Sequence, residues 1–143
     1  MVLMCVNTWA TLGAAVACMI LGFLWYSPML FAKPWMVAMG YDPSDKARIA
    51  EMQKGVGAKY AISFLTSLLS AFVLGKIIYH LAITTPLYGM KVGLAVWAAF
   101  VMTVQLTDKL FAGRPWNLFL INTGYQLVCF LAMGAILGQW AGC

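Results

Sequence analysis

Four apolar stretches, at about 6–31, 60–82, 87–107 and 116–140, each hold the roughly 20 residues needed to cross about 30 Å of hydrocarbon. Nothing else in the chain constrains its fold as strongly. Inside a bilayer the backbone meets no water, so each stretch must satisfy its own N–H and C=O groups as a helix. Composition agrees: of 143 residues, 64% are hydrophobic and 9% charged, and the mean hydropathy is +0.88. A soluble domain carries about 25% charged residues, and so few charges would leave large apolar patches facing water. The chain therefore reads as one all-α integral membrane domain over residues 1–143. Four transmembrane helices form a bundle, with a short interfacial and cytoplasmic helical loop at 32–59 between the first two. The first stretch has no basic leader and is too long for the apolar core of a signal peptide, so it reads as a retained span. "AVAC" (15–18) places alanine where a lipoprotein site prefers leucine.

The net charge is +5, yet the basic residues cluster between apolar runs and do not form the phosphate-binding stripe of a nucleic-acid partner. Lys33, Lys46, Arg48, Lys54 and Lys59 occupy the first loop, and Lys109 and Arg114 the third. The opposite side has Lys91, joined by Lys76 if that side chain snorkels there beside His80. The positive-inside rule then predicts loops one and three in the cytoplasm and both termini outside, which in a bacterial inner (cell) membrane is the periplasmic side. On that arrangement Cys5 and Cys143 share an oxidising side, where their pairing is an open question. Cys18 and Cys129 read as small core residues. No CxxC or Cys/His cluster is written in the chain, and neither a metal nor a cofactor is expected. Within the first loop, "PWMVAMG" (34–40) predicts a short helix from Pro34 to Gly40. "DPSDKARIAEMQKG" (42–55) predicts another, with Asp42 as N-cap, Pro43 at its first position and Gly55 as terminator.

One phrase occurs twice: "LFAKPW" at 30–35 and "LFAGRPW" at 110–116, with Ser27 matching Thr107 upstream. Both copies fall where an outward-to-inward helix reaches the cytoplasmic interface. Internal duplication would give two parallel two-helix repeats about an axis normal to the membrane. Convergence on interfacial vocabulary would write the same letters. On either account Trp25, Phe31, Lys33, Trp35, Phe111 and Trp116 read as interfacial anchors. "GFLWYSPMLFAKPW" (22–35), "LFAGRPW" (110–116), "LFLINTGY" (118–125) and "MGAILGQW" (133–140), in this order across four spans, resemble the DUF1761 family. Its members are small bacterial membrane proteins of unknown function, and the likeness runs from the first helix to the last. It implies a four-helix membrane fold and carries over no catalytic residues.

Polar groups within spans are where a membrane protein shows a site. On the fourth span Asn122, Gln126, Cys129 and Met133 recur at i, i+4, i+7 and i+11, one stripe. Gly124, Gly134 and Gly138 fall roughly opposite, as a helix-packing face with a GxxxG spacing. The third span adds Thr103, Gln105 and Asp108, with Asp108 placed to pair with Arg114 across the turn. Gln105, Asp108, Arg114, Asn122 and Gln126 are thus candidates for a polar path or for interhelical contacts. A second histidine, paired intramembrane carboxylates, GxSxG and a nucleotide loop are all missing from the sequence, so an enzyme is not expected. The leading expectation is a non-catalytic structural or accessory membrane protein, whose partners are the bilayer and either its own copies, as a homo-oligomer, or other membrane subunits. The alternative is a small oligomeric transporter or channel for an ion or small solute.

Overall fold

The computed structural model describes residues 6–140, and its first helix begins where the sequence supplies a cap. Asn7 is extended and its side-chain oxygen accepts from the N–H groups of Trp9 and Ala10, 3.1 and 3.2 Å away. That satisfies two of the orphan donors of α1, Thr8–Trp25. The helix stops well short of the predicted residue 31. Pro28 cannot donate, and it biases Ser27 away from helical backbone, so residues 26–31 fold into turns.

The connector also differs from its predicted bounds. Helix α2, Ala32–Ala38, starts two residues before Pro34 and gives way to Gly40 at φ +84°. Asp42 does not cap the next helix, because its carboxylate accepts from the N–H and the hydroxyl of Ser44 at 2.9 and 2.7 Å. This Asx turn delays helix formation, and the same two bonds hold the Asp42 carboxyl below the usual carboxylate range. Asp45 takes over as cap, accepting from Arg48 N–H, and α3 runs Lys46–Met52. Gly55, at φ +72°, leads directly into α4, Val56–His80.

Helix α4 ends on Ala82 at φ +53°, whose N–H bonds Tyr79 O while Ile83 N–H bonds Ile78 O. Thr85 caps α5, Pro86–Ala112, with Pro86 at its first position. Gly113 at φ +66° turns the chain into α6, Trp116–Trp140. Among the described residues the structure is entirely helical, and four helices (α1, α4, α5 and α6) are long and apolar enough to span a membrane. The two copies of the repeated phrase adopt different structure. In the first, Ala32 opens a helix; in the second, Ala112 closes one, and the inserted Gly113 makes the turn.

Helix α6 packs against all three other spans, whereas α4 and α5 barely touch. The tightest contact is α5 against α6. A β-carbon on Gly134 or Gly138 would collide with the backbone of Gly89, and one on Gly93 with the carbonyl of Phe130. Small residues therefore let two backbones meet. At the same end of the bundle Ala71, Leu74, Ile78, Met133 and Leu137 are buried completely or nearly so. At the other end, where α2, α3 and the α5–α6 connector lie, α1 and α5 remain on α6 while α4 and α5 leave a space between them.

A π-helical turn at Trp97–Met102 keeps one face of α5 on α6 along its whole length. In an unbroken α-helix, the sixteen residues from Gly89 to Gln105 would rotate the second away from the first by about 160°. One π turn, equivalent to a single inserted residue, takes back about 100°. Gly89, Gly93, Trp97 and Gln105 consequently all reach α6.

Candidate functional site

The space left where α4 and α5 diverge sets a row of polar groups among the apolar Phe100, Val101, Val104, Phe130 and Met133. Helix α4 lines it with Ser63, Thr66, Ser67 and Ser70, spaced i, i+3, i+4 and i+7 on one face. Helix α5 adds Gln105, and α6 adds Tyr125 and Gln126, around a cavity of about 410 Å³. Gln105, Tyr125 and Gln126 also border a second cavity of about 800 Å³ beneath α2 and α3. A third, of about 420 Å³ between α1 and α4, again includes Tyr125. Tyr125 stands at the junction of all three. Gly22 makes room for it, since a β-carbon there would lie 2.8 Å from the Tyr125 hydroxyl.

Hydrogen bonds fix the walls. Tyr26 donates to the Asn122 side-chain oxygen at 2.7 Å, and Trp25 Nε1 donates to Ile121 O at 2.9 Å. Both tie the end of α1 to α6. The Thr123 hydroxyl donates to the Gln105 side-chain oxygen, and Trp97 Nε1 donates to Thr123 O at 3.0 Å. Tyr125 donates to Cys18 O at 3.0 Å. An aromatic chain runs outward from Tyr125 through Tyr26 and Trp35 to Tyr41, with adjacent ring centroids 5.4 to 6.5 Å apart. Arg48 lies over Tyr41 at 5.0 Å and closes it. Every buried side-chain nitrogen and oxygen among the described residues has a partner. Among the polar groups facing the cavity, Gln105 is held by Thr123 and Tyr125 by Cys18 O, while Gln126 and Ser70 keep their side-chain bonding capacity for a guest.

Residues 9–138 match the family described as "Protein of unknown function (DUF1761)". The chain belongs to the DUF1761 family. No curated protein and no solved structure matches it.

The DUF1761 chain distributes its sequence-marked residues unevenly. Gln105 and Gln126 line the cavity between α4 and α5, while Asn122 is bound to Tyr26. Asp108 and Arg114 are 3.7 Å apart and largely exposed, an ion pair contributing at most about 1 kcal/mol. With Gln105, Asn122 and Lys109 they border a small recess of about 120 Å³. Gly134 and Gly138 face α5, whereas Gly124 faces α1, where a β-carbon would lie 3.2 Å from the Trp25 ring. Among the anchors, the Trp25 and Phe31 rings pack at a tilt with centroids 4.6 Å apart, and Trp25 bridges two helices. Trp35 roofs the larger cavity. Phe111 and Trp116 point outward, with Lys109 over the Trp116 ring at 3.9 Å, and Lys33 is exposed. His80 does not join Lys76 through their side chains: its ring Nδ1 meets Lys76 O at 2.8 Å, and the ammonium lies over Phe72. Cys5 and Cys143 lie outside the described residues.

Sequence reasoning passed over the hydroxyl face of α4, although its spacing was plain, and the two tyrosines. It also read Cys18 and Cys129 singly, whereas the fold sets their sulfurs 2.9 Å apart. Among the described residues no cluster of three or more His, Cys, Asp or Glu side chains is placed to hold a metal.

Proposed function

We propose that this protein is a non-catalytic membrane protein that binds a small, neutral, hydrogen-bonding solute, its vestibule forming the inner half of a transport path. The single supporting observation is the row of hydroxyls and amides in the cavity between α4 and α5, which shares Gln105, Tyr125 and Gln126 with the larger one beneath α2 and α3. Size favours a small molecule over a partner helix. A spanning helix, about 30 Å long and 10 Å wide, fills more than about 2,000 Å³. The larger of these two cavities is about 800 Å³, within the usual range of about 300–1,000 Å³ for ligand sites. The lining favours a neutral guest, because Lys59 is the one ionised group in the two cavities. The glycine seam at the opposite end supports a path closed on that side.

On this reading the vestibule opens to the cytoplasm, since the first and third loops carry most of the basic residues. The test is thermal unfolding in detergent against a panel of neutral polar solutes. A ligand at 100 times its Kd stabilises by about 2.7 kcal/mol, and the shift should vanish in Gln126→Leu. If no solute moves the transition, or shifts survive in Gln126→Leu and Gln105→Leu, the solute reading fails. Co-purification of a stoichiometric membrane subunit would then favour the accessory role.

A further inference from the structure

Cys18 lies about 15 Å along α1 and Cys129 about 20 Å along α6, counted at a rise of about 1.5 Å per residue. Both therefore sit near the middle of their spans, 5% and 0% exposed. Their sulfurs are 2.9 Å apart. The Tyr125 hydroxyl is 3.5 Å from the Cys18 sulfur, and the Ser67 hydroxyl donates to it from 3.6 Å. A buried cysteine alone is ordinarily a small core residue. Here two thiols from different helices face each other, with two hydroxyls converging on one of them, and that one borders the cavity between α4 and α5.

We propose that Cys18 and Cys129 form a redox-active dithiol that a membrane quinone oxidises to an intramembrane disulfide. The depth of the pair and the apolar rim of its cavity, where Phe100 and Val104 are exposed, select the oxidant: the charged glutathione and the thioredoxin-type proteins do not suit that entrance, whereas quinones dissolve in the bilayer beside it. The cavity wall offers what a quinone needs: the Phe100 ring for a flat head, and the Gln105 and Gln126 amide N–H groups as donors for its two carbonyl oxygens. A disulfide needs the sulfurs at about 2.05 Å, and here they start 2.9 Å apart. The step balances. Both S–H bonds break, one S–S bond forms, and the two protons and two electrons released convert the quinone to its hydroquinone. The disulfide then ties α1 to α6 at mid-membrane beside the vestibule. This inference does not rest on solute binding, since the oxidant has only to reach Cys18 through the opening between α4 and α5.

The experiment uses the full chain carrying Cys5→Ser and Cys143→Ser, reduced and reconstituted in phosphatidylcholine vesicles. A decyl-chain benzoquinone is added without oxygen. Free thiols are counted by maleimide mass tagging after denaturation, hydroquinone by its absorbance, and the product by intact mass. The expected result is loss of both tags, one hydroquinone per chain, and a protein lighter by two hydrogens. Cys18→Ala and Cys129→Ala should each abolish hydroquinone formation. Retention of both thiols would overturn the proposal, as would a mass gain from quinone addition, or a disulfide that forms in air but not with quinone. The parent protein decides the matter by itself, whatever the single variants do to folding.

Discussion

Replacing Gly138 by alanine is the sharpest probe of the α5–α6 seam. The new β-carbon would lie 2.5 Å from Thr85 O and 3.0 Å from Gly89 Cα, both main-chain atoms. Carbon atoms in good contact stand about 3.5–4.0 Å apart, so the helices must part by about 1 Å. No flexible side chain is present to yield. A gap of that size forfeits a quarter to a half of each local dispersion contact, and overpacking of this kind costs about 1–3 kcal/mol. Helix propensity offsets little, since spans separated in a micelle remain helical and the term cancels between states. Gly13→Ala is the control, because nothing lies within 4 Å of its added carbon, and its effect should be near zero. Reversible unfolding in mixed micelles, followed by circular dichroism over an SDS titration, should rank Gly138→Ala below Gly13→Ala by about 1–3 kcal/mol. Equal stability of the two variants would refute the backbone-contact account of this seam.

Ala82→Gly should stabilise the protein by about 1 kcal/mol in the same titration, because Ala82 is exposed and holds φ +53°, a conformation that disfavours residues with a β-carbon. Tyr26→Phe should cost about 0.6–1.7 kcal/mol, as it removes the 2.7 Å bond from α1 to Asn122; an unchanged midpoint would mean that water or another group serves Asn122 equally well. Trp25→Phe keeps a ring packed on Phe31 but deletes the donor to Ile121 O, and should cost about 1 kcal/mol in the same assay. Reporter fusions should give a cytoplasmic signal near Lys46 and an external one at residue 143, and the reverse pattern would invert the assignment of the vestibule mouth.

The spans were legible because hydrocarbon thickness acts on composition alone. Their ends were less so. The apolar run around α1 continues through Met29, Leu30 and Phe31, and only the backbone restriction imposed by Pro28 shows that the helix has stopped. Asp42 and Asp45 are both competent caps, and Ser44 decides between them by occupying the first. Half of the glycine seam was read from Gly134 and Gly138. The matching Gly89 and Gly93 carry the same spacing on α5, but which two faces meet is a property of the assembled bundle. The meeting of Gln105 with Thr123 depends on the π turn, which leaves no periodic signature. Cys18 and Cys129 are 111 residues apart, and local pattern says nothing about contacts of that range.

The central place of α6 has a consequence for how the protein is made. Helices α1, α4 and α5 leave the ribosome first, yet the helix that unites them is the last to be synthesised. At about 5–20 residues per second, the 111 residues between Cys18 and Cys129 separate the arrival of the two thiols by roughly 5–20 seconds. During that interval Tyr26 and the glycines of α5 stand in the bilayer without their final neighbours. Nascent chains truncated before Trp116 should therefore hold α1 and α4 already paired and α5 inserted beside them without its partner, open to proteolysis and to capture by the insertion machinery. Completion of one segment would convert them together into a bundle.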